Sequence, residues 1–231
     1  MPSVVTIFAN DASGPAGSGS GEFIDTDGHI LTNNHVISSA VDGGSISVLR
    51  PNGETLEATL VGRDIQTDLA VLKVSAQTEI VPITFDTRES PRIGEQVFAV
   101  GAPLGLSDTM TAGIISGLGR TVTVPADGDA TALLISALQT DAAINPGNSG
   151  GTLANCAGVL VGVPTAGATA SDSAGVPVAG SIGLGFAIPA DSARRIADAD
   201  QRRSGGTRPL RCLGRAGHRR LGGVDRHGAC S

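Results

Sequence analysis

The sequence predicts an all-β protein: two antiparallel β-barrels with a short C-terminal helix. Three observations carry the prediction. Thirty-three glycines, with Val and Thr spread through short apolar runs between turn residues, favour strands and tight turns over long helices. The apolar runs form two sets of similar size. One polar, proline-containing stretch separates them.

In chain order, the first set places strands at residues 4–8, 21–24, 46–49, 55–61, 69–74 and 81–85. Asp27-Gly28, Asp42-Gly43-Gly44 and Pro51-Asn52-Gly53 supply turns between them. This gives a first barrel over residues 1–86. Residues 87–93, with Thr87, Arg88, Glu89, Ser90 and Pro91, read as a linker. The second set places strands at 96–100, 110–117, 121–124, 132–139, 151–153, 159–163 and 184–188, a second barrel within residues 94–200. Residues 165–181, rich in Ala, Gly and Ser, are expected to form a long surface loop. Pro189 and Asp191 are good helix starters, and a helix over 190–199 turns Ala193, Ile196 and Ala197 to one face.

Charge divides the chain at the same point. The first 200 residues carry 21 acidic side chains against eight basic ones, whereas the last 31 carry one Asp against eight Arg. Residues 201–231 interleave those Arg with Gly and have neither strand nor helix periodicity, so a disordered tail is expected, in the style of a shifted reading frame. With five Phe and no Trp or Tyr there is little to stack on bases, and no nucleic-acid partner is expected. Cys156, Cys212 and Cys230 have no metal-ligand spacing, so neither a disulfide framework nor a metal or other cofactor is expected. The start, Met1-Pro2-Ser3-Val4-Val5, lacks the charged and apolar regions of a signal peptide, and no run reaches the roughly 20 apolar residues of a membrane-spanning helix.

Acyl transfer by serine needs a hydroxyl, a base beside it, a group that orients the base, and donors for the oxyanion. Ser149 lies in Gly147-Asn148-Ser149-Gly150-Gly151, where glycines permit a tight turn with the hydroxyl exposed. Backbone at Gly147, Asn148 and Ser149 is the candidate oxyanion hole, through the N–H groups of Gly147 and Ser149. Taken alone the pentapeptide reads more readily as an ordinary loop turn. His29 and His35 are the only histidines before the tail. His29 follows Gly28 in a polar turn and is expected to be exposed, whereas His35 ends the apolar Leu31-Thr32-Asn33-Asn34-His35-Val36-Ile37. Asp64 and Asp68 are the candidate orienting carboxyls. Asp68 opens the apolar run from Leu69 to Val74 and would need a buried partner, which His35 can supply, so Asp68 is preferred.

These residues carry a family resemblance. Thr32-Asn33-Asn34-His35-Val36, then Thr67-Asp68-Leu69-Ala70-Val71-Leu72-Lys73-Val74, then Gln139-Thr140-Asp141-Ala142-Ala143-Ile144-Asn145-Pro146 with the glycine turn resemble the three catalytic blocks of the HtrA/DegP family of trypsin-like serine proteases. Gly17-Ser18-Gly19-Ser20-Gly21, Gly101-Ala102-Pro103-Leu104-Gly105 and Gly183-Leu184-Gly185-Phe186-Ala187-Ile188-Pro189 extend the likeness over about residues 3–200, in the style of actinobacterial envelope members.

The resemblance implies two six-stranded antiparallel barrels, the trypsin-like double barrel, with His35, Asp68 and Ser149 in the cleft between them. It implies a specificity pocket lined by Ala143, Ile144, Leu184 and Phe186; with no acid there, cleavage after Val, Ala or Ile is expected. Loops around 101–110, 120–131 and 166–181 are implied to switch the oxyanion hole between states. The implied activity is endoproteolysis of unfolded or damaged polypeptides in the cell envelope or outside the cell, by a homotrimer. Family members carry an export signal or anchor and PDZ domains, neither of which is expected in this chain as written. The competing reading is an inactive remnant or chaperone-like binding module that retains the triad.

Overall fold

The computed structural model describes residues 1–75, 79–88, 90–102, 109–127, 130–167 and 180–204. Strands β1 (Val4–Asp11), β2 (Gly14–Phe23), β3 (His29–Thr32), β4 (Ser45–Leu49), β5 (Thr55–Asp64) and β6 (Leu69–Val74) close into a barrel in the order β1-β2-β3-β6-β5-β4. Its interior is filled by Ile7, Phe23, Ile30, Ile37, Val48 and Leu72, all buried. A four-residue helix, α1 (Asn34–Ile37), and a 3-10 turn over Ser38–Ala40 follow β3.

The second sheet contains β7 (Thr84–Phe85), β8 (Gln96–Gly101), β9 (Thr109–Pro125), β10 (Thr131–Thr140), β11 (Thr152–Asn155), β12 (Val159–Gly167) and β13 (Gly185–Pro189). Six of these run β11-β8-β9-β10-β13-β12, and β11 pairs with β12 to close the second barrel. Val97, Ala99, Ile115, Leu138, Leu153 and Val161 form its core. The chain therefore has the two six-stranded antiparallel barrels expected.

Membership differs in detail. β3 joins the first barrel, and the strand expected at 81–85 shrinks to β7, which pairs in parallel with β12 of the second sheet. The strands expected at 110–117 and 121–124 are one 17-residue strand, continuous through Gly119 at φ +66°. β12 extends to Gly167, so Thr165 lies on a strand instead of a loop; residues 168–179 of that expected loop lie outside the described residues.

Helix α2 (Ala190–Ser204) buries Ala193 and Ala197 and exposes Arg194 and Arg195, with Arg195 paired to Asp191 at 2.7 Å. It runs past the expected end at 199. The remaining tail, 205–231, lies outside the described residues. Ala193 and Ala197 pack in one cluster with Leu31, Leu69 and Val71 of the first barrel and Val124, Val163 and Ile188 of the second. That shared apolar layer presses the barrels together and sets the edges from which the site is built.

Candidate active site

His35 sits on α1, one turn beyond the end of β3, rather than on the strand itself. Asp68 occupies the turn between β5 and β6 and is 1% exposed. Its φ of +55° is left-handed, a conformation that costs a non-glycine residue about 1 kcal/mol and that Asp tolerates better than most. Hydrogen bonds hold it there. Its Oδ1 accepts the His35 N–H at 2.9 Å and its Oδ2 faces His35 Nδ1 at 2.8 Å. The Thr165 hydroxyl donates to the same Oδ2 at 2.5 Å. Its main-chain carbonyl accepts the Asn33 side-chain amide at 2.8 Å and the Asn34 N–H at 3.1 Å. The carboxyl thus receives three donors, which suits a buried acid and fixes the imidazole ring. Because Nδ1 faces Asp68, the ring nitrogen left over is Nε2.

Ser149 lies in the turn between β10 and β11, with Gly147 at φ +100° and Gly150 at φ +78°. A Cβ at Gly150 would run into the Thr32 hydroxyl and the Ser20 carbonyl, so glycine is required there twice over. The Ser149 hydroxyl points at the Thr165 carbonyl, 3.4 Å away, rather than at the His35 ring. Thr165 therefore touches both Ser149 and Asp68 and links the part of the site built on the second barrel to the part built on the first. Asn148 N–H donates to the Asn145 carbonyl at 3.0 Å. Neither Gly147 N–H nor Ser149 N–H donates to an acceptor among the described residues.

Around this centre, Arg63 bridges the barrels. Its guanidinium contacts Asp127 at 2.6 Å and donates to the Asn34 side-chain Oδ1 at 3.2 Å, while the Asn34 side-chain NH2 donates to Asp127 at 2.9 Å. The residue before His35 is thus tied to the loop after β9.

Of the expected pocket residues, Ile144 is 4% exposed and belongs to the core of the second barrel, and Ala143 and Phe186 are half-buried. Leu184 is exposed. A Cβ at Gly185 would collide with the Ile144 side chain, so Gly185 and Ile144 lie against each other. None of these four side chains bears a charge.

His29 differs from expectation. It is half-buried, and its Nδ1 meets Asp25 at 2.6 Å. Burial works to raise the Asp25 carboxyl, but hydrogen bonds from the His29 N–H and ring outweigh it and hold the group below the ordinary range. Asp64 caps a turn by accepting the Gln66 N–H at 3.0 Å and is not near His35 in the bonding network. A cleft of about 520 Å³ lined by Asp86, Arg88, Leu118, Ile135, Asp191 and Arg195 contains none of the site residues. Its cations are already paired, Arg88 with Asp86 and Glu95, and Arg195 with Asp191.

Sequence reasoning missed Thr165, Asn33, Arg63 and Asp127. Thr165 comes just after the apolar run 159–163 and carries no local signal. Only the fold brings it within reach of residue 68.

Residues 19–163 match the trypsin-like peptidase domain. The chain is 42% identical over 228 residues to serine protease PepD of Mycobacterium tuberculosis, a match covering 96% of this chain and 47% of that protein. It is 44% identical over 185 residues to a probable periplasmic serine endoprotease, DegP-like, of Rhizobium meliloti, covering 80% of this chain and 33% of that one. It is 41% identical over 197 residues to Protease Do-like 1, chloroplastic, of Arabidopsis thaliana, covering 85% and 42%. The chain spans about half or less of the length of these curated relatives. Among the described residues no helix is long and apolar enough to cross a membrane. Fold, site geometry and these likenesses agree: the chain belongs to the trypsin-like peptidases, as a protease domain of the HtrA/DegP family of serine endoproteases.

Proposed function

We propose that this chain is a serine endopeptidase in which Ser149 is the nucleophile, His35 the general base and acid, and Asp68 the group that orients His35. The observation that carries this reading is the hydrogen-bonded path from His35 through Asp68 and Thr165 to Ser149, which draws on both barrels. In the reaction, the Ser149 hydroxyl turns from the Thr165 carbonyl towards His35 Nε2, gives up its proton there, and Oγ attacks the peptide carbonyl. The oxyanion is received by the N–H groups of Gly147 and Ser149. The proton passes from His35 to the departing amine, and water then cleaves the acyl-enzyme by the same route in reverse.

The uncharged lining of Ala143, Ile144, Leu184 and Phe186, narrowed by the Gly185–Ile144 contact, supports cleavage after Val, Ala or Ile. Unfolded or damaged polypeptides are the proposed substrates, in the envelope, where one DegP-like relative is named periplasmic, and a homotrimer is the proposed assembly.

Hydrolysis of casein and of an internally quenched peptide containing Val at the cleavage site, with Ser149→Ala as control, tests the reading. Turnover that disappears in Ser149→Ala supports it. Equal residual hydrolysis in both proteins would favour the binding module instead, and cleavage mainly after Arg would remove the pocket assignment.

A further inference from the structure

The turn that carries Ser149 is flanked by two peptide groups, each secured at both ends. In the group joining residues 147 and 148, the carbonyl accepts the Ser20 hydroxyl at 2.7 Å and the N–H donates to Asn145 at 3.0 Å. In the group joining 149 and 150, the carbonyl accepts the Ser20 N–H at 2.9 Å and the N–H donates to Pro164 at 2.9 Å. Between them, the carbonyl of the 148–149 group accepts Gly151 N–H at 3.0 Å, and only its N–H, that of Ser149, is left without an acceptor among the described residues.

One residue, Ser20 on β2 of the first barrel, thus grips both flanks of the turn. Its hydroxyl also accepts the Ala102 N–H at 2.8 Å, just after β8. Because an amide N–H can only donate, the single hydroxyl proton is committed to the Gly147 carbonyl. The Ser20 carbonyl in turn accepts the Thr32 hydroxyl at 2.7 Å, and the residue is fully buried, so its two hydroxyl bonds fix the rotamer while its main chain is anchored separately.

A turn with glycine at 147, 150 and 151 is free to rotate its peptide groups. Rotation of the 147–148 group would swing its neighbour's N–H away from the oxyanion position, at the loss of the Ser20 bond. We propose that Ser20 is a positioning residue for the oxyanion donors, holding the N–H groups of Gly147 and Ser149 in the productive direction from the opposite barrel. This rests on the reading of Ser149 as nucleophile. Ser20 touches no reacting atom; it acts through the turn.

Steady-state kinetics on the quenched peptide test it, using Ser20→Ala, Ser20→Cys, Val48→Ala and Ser149→Ala. Loss of a whole oxyanion donor costs about 10²–10³ in kcat, so loosening both through Ser20→Ala is expected to lower kcat by about 10–50-fold. KM should stay within about twofold, and the pH dependence of kcat/KM should keep its midpoint, since His35 is untouched. Ser20→Cys retains a weak donor and should fall between. Val48→Ala truncates the first-barrel core away from the turn and should lower the melting temperature while leaving kcat in place. The proposal is overturned if Ser20→Ala keeps kcat within twofold, or if kcat falls only in step with the folded fraction as in Val48→Ala. Should Ser20→Ala not fold, Ser20→Cys decides by the same comparison. Activity surviving in Ser149→Ala would instead remove the nucleophile assignment, an outcome read separately.

Discussion

Glu22 gives the most direct test of the packing between the barrels. It lies on β2, opposite Val4 of β1 and Leu31 of β3, fully buried, with neither carboxyl oxygen in a hydrogen bond among the described residues. Thr152 of β11 is its polar neighbour but stands outside good bonding geometry. Burial pushes the carboxyl well above its ordinary value of 4.5, with only the Thr152 hydroxyl opposing. In Glu22→Leu a side chain of similar reach replaces a polar group that has no partner. Burying such a group costs about 1–3 kcal/mol, and imperfect repacking returns less than about 1.5 kcal/mol. The substitution should therefore stabilise the fold by about 1–2 kcal/mol in acid, where Glu22 is protonated in both folded and unfolded chains.

The gain should grow with pH. The unfolded chain loses the Glu22 proton near 4.5 whereas the folded chain retains it to higher pH, so the native protein loses about 1.4 kcal/mol per pH unit until the folded group titrates. The assay is calorimetric unfolding at pH 4.5 and pH 8 in a Ser149→Ala background, which removes autolysis. At about 2–4 °C per kcal/mol for a chain of this size, Glu22→Leu should melt several degrees above its parent at pH 4.5 and further above it at pH 8. Glu22→Gln should share the flattened pH dependence with little of the acid-side gain. A Glu22→Leu protein less stable than its parent at pH 8, or an equal difference at both pH values, would refute the reasoning.

Two further substitutions probe the site. Asp68→Asn should lower kcat by about 10⁴ on the quenched peptide, because an amide presents a donor to His35 Nδ1 and disfavours the tautomer that leaves Nε2 as acceptor; a loss under tenfold would remove Asp68 from its orienting role. Gly185→Val should drive Ile144 from its place, lower kcat/KM for a Val-containing peptide at least about tenfold and cost about 1–3 kcal/mol in unfolding experiments; unchanged kcat/KM would mean that the pocket lies elsewhere.

The sequence made the strands and the order of His35, Asp68 and Ser149 readable because alternation and glycine turns are local signals. What it hid depends on contacts between distant segments. Residues 19–23 are buried on both faces of β2, one face by the first barrel's core and the other by the second barrel, so the expected inward–outward alternation vanishes and Glu22 looks like an ordinary surface acid until the fold is known. Thr165 and Ser20 act by position alone. The partner of the 81–85 strand was equally illegible, since two residues of extended chain carry no preference for one sheet over another. His29 looked exposed because a glycine turn precedes it; the Asp25 contact arises from the turn's closure.

β7 and α2 have a consequence for how the molecule comes apart. The chain leaves the first barrel, lends Thr84 and Phe85 to the edge of the second sheet, and returns through α2 to pack on β5 and β6. Each barrel thus finishes the other's surface, and a cut between residues 87 and 93 would strip the amino-terminal half of its covering helix and the carboxy-terminal half of an edge strand. Halves made this way would inherit exposed apolar layers and would separate His35 and Asp68 from Ser149 and Thr165, so the two barrels are expected to unfold as one cooperative unit.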